Sequence, residues 1–343
     1  MSSSDRSPGR AERLLQERAT AAPAIFSPVE ARLRQVEAMF RRNLASPLAI
    51  IDEIGGFVAE GVGKRVRPAM HLLCAKMCGY DGPHDVLMAT VLEFIHSATL
   101  IHDDIIDEAT TRRGRSSVNH RWGNNVTVLF GDYMFAKAME MALDAGSLAI
   151  IRKLAEVTLR MTEGEMLQTR YVGRLDLTVA EHVDLIERKT AVLFAGCCEI
   201  AGLLAGVDAA TQASLGRYGT RVGLAFQMVD DLLDFTGDSR TLGKPAASDL
   251  REGKATLALI DLLASGPGRG LDLARLIMER GEADSAEIAE LTALLDTSGA
   301  LARSHSQARR MAAQAAEELR GFPDGPARRA LEAVPGFLIS RNR

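Results

Sequence analysis

Two long apolar stretches of this chain end in the same way, and that repeated ending limits the folds open to it. The first stretch closes as Glu93-Phe-Ile-His-Ser-Ala-Thr-Leu-Ile-His-Asp-Asp-Ile-Ile-Asp-Glu108. The second closes as Gln227-Met-Val-Asp-Asp-Leu-Leu-Asp234. In each, two carboxylates stand four residues apart, Asp103 with Asp107 and Asp230 with Asp234. At helical periodicity such a pair shares one face, one group above the other. Stacked carboxylates repel unless a cation bridges them. With no cysteine or paired-histidine set nearby, the donors suit Mg²⁺ rather than zinc. Because Mg²⁺ shares its shell with water and substrate phosphates, the expected ligand is a small phosphorylated molecule. The expected arrangement is two helices facing each other with their acidic ends converging.

The rest of the chain agrees with an all-helical reading. Ser27-Pro28 reads as a cap followed by a proline at the first helical position, with Val29, Leu33, Val36, Met39 and Phe40 as the apolar stripe. Helical patterns rich in Ala and Leu then alternate with short breaks near residues 61–63, 79–83, 113–116, 173–178, 206–208, 237–249, 266–270 and 322–326. Strand-type alternation is nearly absent, and no solenoid period is evident. The expectation is an all-α fold, a single large helical bundle with a central active-site cavity between facing helices. Residues 1–25 mix Ser, Arg, Pro, Gly and Ala and read as a mobile tail, leaving residues 26–343 as one domain.

Composition matters mainly for what it excludes. A net charge of −4 gives no global pull toward nucleic acid or an anionic membrane. No apolar run is long enough to span a bilayer, and nothing near Met1 resembles a secretory signal. Cys74, Cys78, Cys197 and Cys198 sit inside apolar helical patterns without metal-site spacing. They read as reduced core residues of a cytoplasmic protein.

Basic residues cluster where anions would be needed. In Gly61-Val-Gly-Lys-Arg-Val-Arg-Pro68, Lys64 and Arg67 fall one turn apart at an expected helix start, a position that favours anions. The stretch lacks the strand and the Gly-Lys-Ser/Thr order of a P-loop. His96 precedes Asp103 by two turns of the same face, although a lone histidine there also fits a core role. Arg112-Arg113 follow the first acidic run, and two arginine forks suit two neighbouring diphosphates. Asp132, in Leu-Phe-Gly-Asp-Tyr, reads as buried and structural. Further on come Glu165 with Gln168, the pair Lys189-Thr190, Lys244 and Lys254. On spacing alone, Lys189 fits an ion-paired helix face.

Taken together, the ordered Asp-Asp-x-x-Asp motifs and Arg112-Arg113-Gly114 resemble the trans-isoprenyl diphosphate synthase (polyprenyl synthetase) family. The match runs from about Gly61 to Ile260. The resemblance implies an isoprenoid synthase-like bundle that condenses isopentenyl diphosphate with an allylic prenyl diphosphate. It places Mg²⁺ on Asp103, Asp107, Asp230 and Asp234. It puts Lys64, Arg67, His96 and Arg113 on isopentenyl diphosphate, and Arg112 on the allylic diphosphate. Lys189, Thr190 and Gln227 would touch the allylic substrate, and Lys244 and Lys254 would close over its diphosphate. It also implies a homodimer, with peripheral membrane contact for product release. Ala258 stands where many relatives carry proline, a change expected to affect a helix start rather than the chemistry.

Two rival readings fit less well. A terpene cyclase handles one diphosphate and has no need of Lys64, Arg67 and Arg113. A non-catalytic subunit of the same fold typically loses one acidic motif, whereas both are complete here. Product length is expected to follow Ala98 and Thr99, one turn before Asp103, where short-chain relatives commonly carry a bulky aromatic. Both residues are small, so the way reads as open toward Ile95 and Phe94, then Leu92 and Val91, unless Phe135 or Met139 forms a floor. This favours medium or long products of the quinone side-chain type over farnesyl or geranylgeranyl products.

Overall fold

Helical periodicity sets in near Pro28, but the cap expected from Ser27 is not made. Ser27–Val29 forms a 3-10 turn, and the first α-helix, α1 (Glu30–Leu44), starts after it without a side-chain cap. The computed structural model describes residues 24–340 except 62, 113, 238–245 and 267. The expected mobile tail therefore lies almost entirely outside the described residues. The helices that follow are α2 (Ala49–Glu60), α3 (Val66–Met77) and α4 (His84–Ile106). A two-residue hairpin, Thr111–Arg112 against Arg115–Ser116, separates α4 from the short α5 (Val118–Trp122). Then come α6 (Asn124–Leu143), α7 (Leu148–Tyr171) and α8 (Val179–Ile186). A single π-helical turn over Glu187–Ala191 joins α8 to α9 (Val192–Ala205). The chain continues through α10 (Ala209–Thr236), α11 (Ser248–Arg251), α12 (Leu257–Ser265) and α13 (Gly268–Arg280). It ends with α14 (Ser285–Thr297), α15 (Ala300–Glu318) and α16 (Pro326–Ile339).

Several helix starts are written locally. Ser147 accepts from the Ile150 amide at α7, and Asp208 from the Thr211 amide at α10. Thr178 with Glu181, and Asp284 with Glu287, form reciprocal capping boxes at α8 and α14.

Three helices form the centre. In α4, Val91, Leu92, Glu93, Phe94 and Ile95 are all at most 5% exposed, so no face of that turn meets water. α4 packs along α6, and also against α1 and α3. α9, nearly as buried, packs against α3, α7 and α10, while α10 packs along α15. An all-round apolar helix is stable only when neighbours cover it completely, which α1, α3, α6, α7 and α15 do. Cys74, Cys197 and Cys198 are buried in these contacts, Cys78 is partly buried, and all four are free thiols. Among the described residues no helix is long and apolar enough to cross a membrane. The molecule is thus all-α, as the sequence leads one to expect, and the C-terminal ends of α4 and α10 open onto one cavity.

Candidate active site

The cavity measures about 920 Å³ and lies between α4, α6, α7, α8, the π turn and α10. Its lining gathers most of the sequence-derived candidates: Arg67, His96, Ala98, Thr99, Asp103, Asp107, Arg112, Lys189, Thr190, Gln227, Asp230 and Lys254. Residues as far apart in the chain as Arg67 and Lys254 therefore meet one volume. Arg113 and Lys244 lie outside the described residues. A smaller cavity of about 230 Å³ adjoins it and shares His96, Leu100 and Arg112.

The acidic ends differ in environment. Asp103 sits in the last turn of α4, and Asp107 caps that helix, donating its amide to the Asp103 carbonyl at 2.8 Å. Burial, with the nearby Glu165 carboxylate, pushes the Asp103 carboxyl up to about 7 while Lys189 pulls the other way. A buried carboxylate held up in this way is stabilised by any cation that approaches. Asp107 accepts from Lys254 Nζ at 2.8 Å. Burial opposes charge on Lys254, yet Asp107 and Glu252 outweigh it and hold its pKa above the ordinary lysine value. Asp230 lines the cavity, but Asp234 does not. At 1% exposure, Asp234 accepts from the amides of Ser248 and Asp249 at 3.1 Å each and from Ser248 Oγ at 3.2 Å. Its carboxylate is turned to the start of α11. Among the described residues no three His, Cys, Asp or Glu side chains converge on one point that could hold an ion. Carboxylates spread across a cavity suit ions that complete their shell with substrate oxygens and water.

The basic groups are braced. Arg112 Nε donates to Asp104 Oδ1 at 2.5 Å, and Asp104 is itself 2% exposed. Arg67 stacks on Phe194 at 4.3 Å and stands 3.1 Å from His96 Nε2. Lys189 Nζ donates to Glu165 Oε2 at 2.9 Å across the cavity wall. Lys64 departs from expectation. Arg65 takes a left-handed conformation (φ 48°) and α3 begins only at Val66, so Lys64 precedes the helix and is exposed. Arg65, which the sequence reading passed over, is ion-paired to Glu37 and Glu93 and lies over the Phe40 ring.

Lys189 and Thr190 owe their placement to the π turn, which inserts one extra residue and turns both toward the cavity. The turn lies against α7 at Gly164, where a Cβ would stand 2.7 Å from the Lys189 amide nitrogen. On its other side, a Cβ on Gly223 of α10 would stand 2.5 Å from Ala191 Cα. Two glycines thus let three backbone segments touch where any side chain would hold them apart.

The apolar end of the cavity runs past Ala98, 1% exposed, to Ile95, Phe135, Ala136, Met161 and Leu193. It does not follow α4 toward Phe94, Leu92 and Val91 as the sequence reading has it. Phe94 instead packs on Phe40 with ring centroids 4.8 Å apart. Met139 is outside the lining and Phe135 within it. Thr99 Oγ1 donates back to the His96 carbonyl at 2.8 Å. Asp132 is not buried: its side chain is 63% exposed at the rim, 3.4 Å from His102 Nε2. Sequence reasoning also missed His182, which belongs to none of its spacing patterns, and gave no role to Asp231, the second carboxylate of the later acidic motif; both line the cavity.

Comparison with known proteins places this geometry in context. Residues 49–295 match the family model described as Polyprenyl synthetase. The chain is 35% identical to octaprenyl diphosphate synthase of Escherichia coli, over 90% of this chain and 95% of that protein. It is 34% identical to the all-trans-nonaprenyl-diphosphate synthase (geranyl-diphosphate specific) of Rhodobacter capsulatus, covering 92% and 97% of the two chains. Among solved structures it resembles a polyprenyl synthase from Caulobacter crescentus complexed with calcium and isoprenyl diphosphate. The TM-score is 0.89 at 36% identity, with 94% of this chain and 98% of that one covered.

Proposed function

Since the chain belongs to the polyprenyl synthetase family, we propose that it condenses isopentenyl diphosphate head to tail with allylic diphosphates, building a medium- or long-chain all-trans polyprenyl diphosphate for quinone side chains. The observation that carries this reading is the single cavity on which the acidic ends of α4 and α10 open together with Arg112, Lys189 and Lys254. A site of mixed sign suits two diphosphates bound side by side, one through divalent cations and one through guanidinium and ammonium groups.

Asp103, Asp107 and Asp230 are the residues that would hold Mg²⁺, and their all-oxygen donor set fits it. When bound, the ions would withdraw electrons from the allylic diphosphate and make it a better leaving group. Arg112, braced by Asp104, holds that diphosphate, while Arg67 and His96 orient isopentenyl diphosphate with Lys64 and Arg113. Lys189, paired with Glu165, touches the allylic substrate, and the Thr190 oxygen offers a lone pair to the allylic carbon as it becomes positive. The apolar wall of Ala98, Ile95, Met161 and Leu193 keeps water from that cation. Asp234 braces α11 and so the segment that carries Lys254. We read residues 26–343 as one catalytic domain of a cytoplasmic homodimer that touches a membrane peripherally to release product. Exposed Leu129 on α6, with Leu159 and Met166 on α7, gives the second subunit an apolar surface to cover.

The test is incubation with Mg²⁺, isopentenyl diphosphate and allylic primers of graded length, followed by chromatography of the products. Products longer than geranylgeranyl diphosphate are expected, and Asp103→Ala should lower turnover about a thousandfold or more while the fold persists. Near-normal turnover of Asp103→Ala at saturating Mg²⁺ would remove the metal assignment.

A further inference from the structure

Asp231 stands next to a proposed metal ligand and is itself held by protein groups. It is 5% exposed, and both of its oxygens are taken up by protein donors. His182 Nε2 lies 3.0 Å from Oδ2, and Gln227 Nε2 donates to Oδ1 at 2.9 Å. The Gln227 carbonyl in turn accepts from Thr190 Oγ1 at 2.9 Å. The chain of contacts His182–Asp231–Gln227–Thr190 ties α8, α10 and the π turn together along the cavity wall.

The direction of every hydrogen bond in it follows from the first. A carboxylate only accepts, so His182 carries a proton on Nε2 and Gln227 must offer its NH₂ to the other oxygen. That orientation sends the Gln227 carbonyl toward Thr190. A carbonyl also only accepts, so the Thr190 hydroxyl donates its one proton there. What remains of Thr190 for the cavity is lone pairs alone. An oxygen that presents lone pairs and no hydrogen is the kind of group that stabilises positive charge developing on carbon.

His182 is 3% exposed, and its Nδ1 has no hydrogen-bond partner among the described residues. The pair with Asp231 is therefore the contact that fixes the ring. We infer that His182 is a positioning residue for the condensation: by holding Asp231 it sets the orientation of the Gln227 amide and, through it, the polarity of the Thr190 hydroxyl. This rests on the proposed role of Thr190. Without His182 the carboxylate is held by Gln227 alone and can swing out of line, the amide can then reverse, and the hydroxyl can point its hydrogen into the cavity.

The experiment compares His182→Leu, His182→Gln, Thr190→Val and the double variant His182→Leu/Thr190→Val in the full chain. Each is assayed with Mg²⁺, isopentenyl diphosphate and one allylic primer, alongside thermal melting. His182→Leu should lose about tenfold to a hundredfold in kcat with unchanged KM for both substrates, a typical size for an outer-shell partner. His182→Gln, whose amide N–H reaches the same carboxylate, should recover most of that rate. The double variant should be no slower than Thr190→Val alone, since both changes remove one contribution. Wild-type kcat in His182→Leu, no recovery in His182→Gln, or losses that multiply would each overturn the inference. Should His182→Leu not fold, Asp231→Asn should show the same kcat loss, and wild-type kcat there overturns it equally. A wild-type chain that makes no product, or a fully active Thr190→Val, would strike the functional reading instead.

Discussion

At the scale of single residues, Ala98 carries the most direct consequence. It lines the cavity where the apolar end begins, one turn before Asp103, and its methyl group leaves the passage toward Met161 and Leu193 open. A tyrosine in its place would project a ring across the volume that the proposed reading gives to the growing prenyl tail. Ala98→Tyr, assayed with the same primer, should shift the product distribution to shorter chains while condensation continues. An active variant with unchanged products would show that length is set elsewhere, with Phe135 the next residue to change. Lys64 teaches a related lesson at the same scale. Its spacing from Arg67 suggests a shared helical face, but the left-handed Arg65 places the two on different local structures. Nothing in a charge pattern reveals one backbone torsion.

At the scale of elements, the π turn over Glu187–Ala191 is the feature with most leverage. A Cβ on Gly164 would lie 2.7 Å from the Lys189 nitrogen and 2.9 Å from its Cα, contacts only a backbone shift can relieve. Gly164→Ala should therefore cost about 1–3 kcal/mol of stability through overpacking. A displacement of about 1 Å in Lys189 and Thr190 should lower kcat on the order of a hundredfold. Stopped or continuous kinetics with a melting curve would check both, and a variant with wild-type kcat would separate the turn from the chemistry. The helices themselves were legible beforehand, because apolar periodicity and the breaks at residues 61–63, 173–178 and 206–208 report backbone hydrogen bonding directly. So were Asp103, Asp107 and Asp230, whose four-residue spacings are intrahelical facts. The π turn was hidden, since one inserted residue does not disturb a pattern read over many. The turn of Asp234 away from the cavity and the pairing of Asp231 with His182 were hidden for another reason. The partners concerned, Ser248 for Asp234 and His182 for Asp231, stand 14 and 49 residues away and are chosen by packing that no local window contains.

At the scale of the whole molecule, the cavity lining is crossed by an ion pair between residues 147 positions apart, Asp107 at the end of α4 and Lys254 between α11 and α12. The lysine side chain is 19% exposed, so it is held away from bulk water in this arrangement. Lys254 thus serves Asp107 as an internal counter-ion, and on the proposed assignment of the metal to Asp107, filling the site is an exchange of ions rather than an addition. A divalent cation arriving alone must evict a lysine that keeps, among the described residues, only Glu252, at 2.6 Å, as its counter-ion. A diphosphate arriving alone can capture Lys254 only by leaving Asp107 bare. When both arrive, every charge is paired again, so each ligand should tighten the other by the same factor, on the order of fivefold to 150-fold. Titration calorimetry of Mg²⁺ with and without a non-reacting diphosphate measures that factor. In Lys254→Met the metal alone should bind more tightly and the mutual gain should shrink, whereas equal coupling in both proteins would deny the lysine this part. The resting enzyme, on this account, keeps its electrostatic balance before either ligand is present, and it admits them most readily as a neutralising pair.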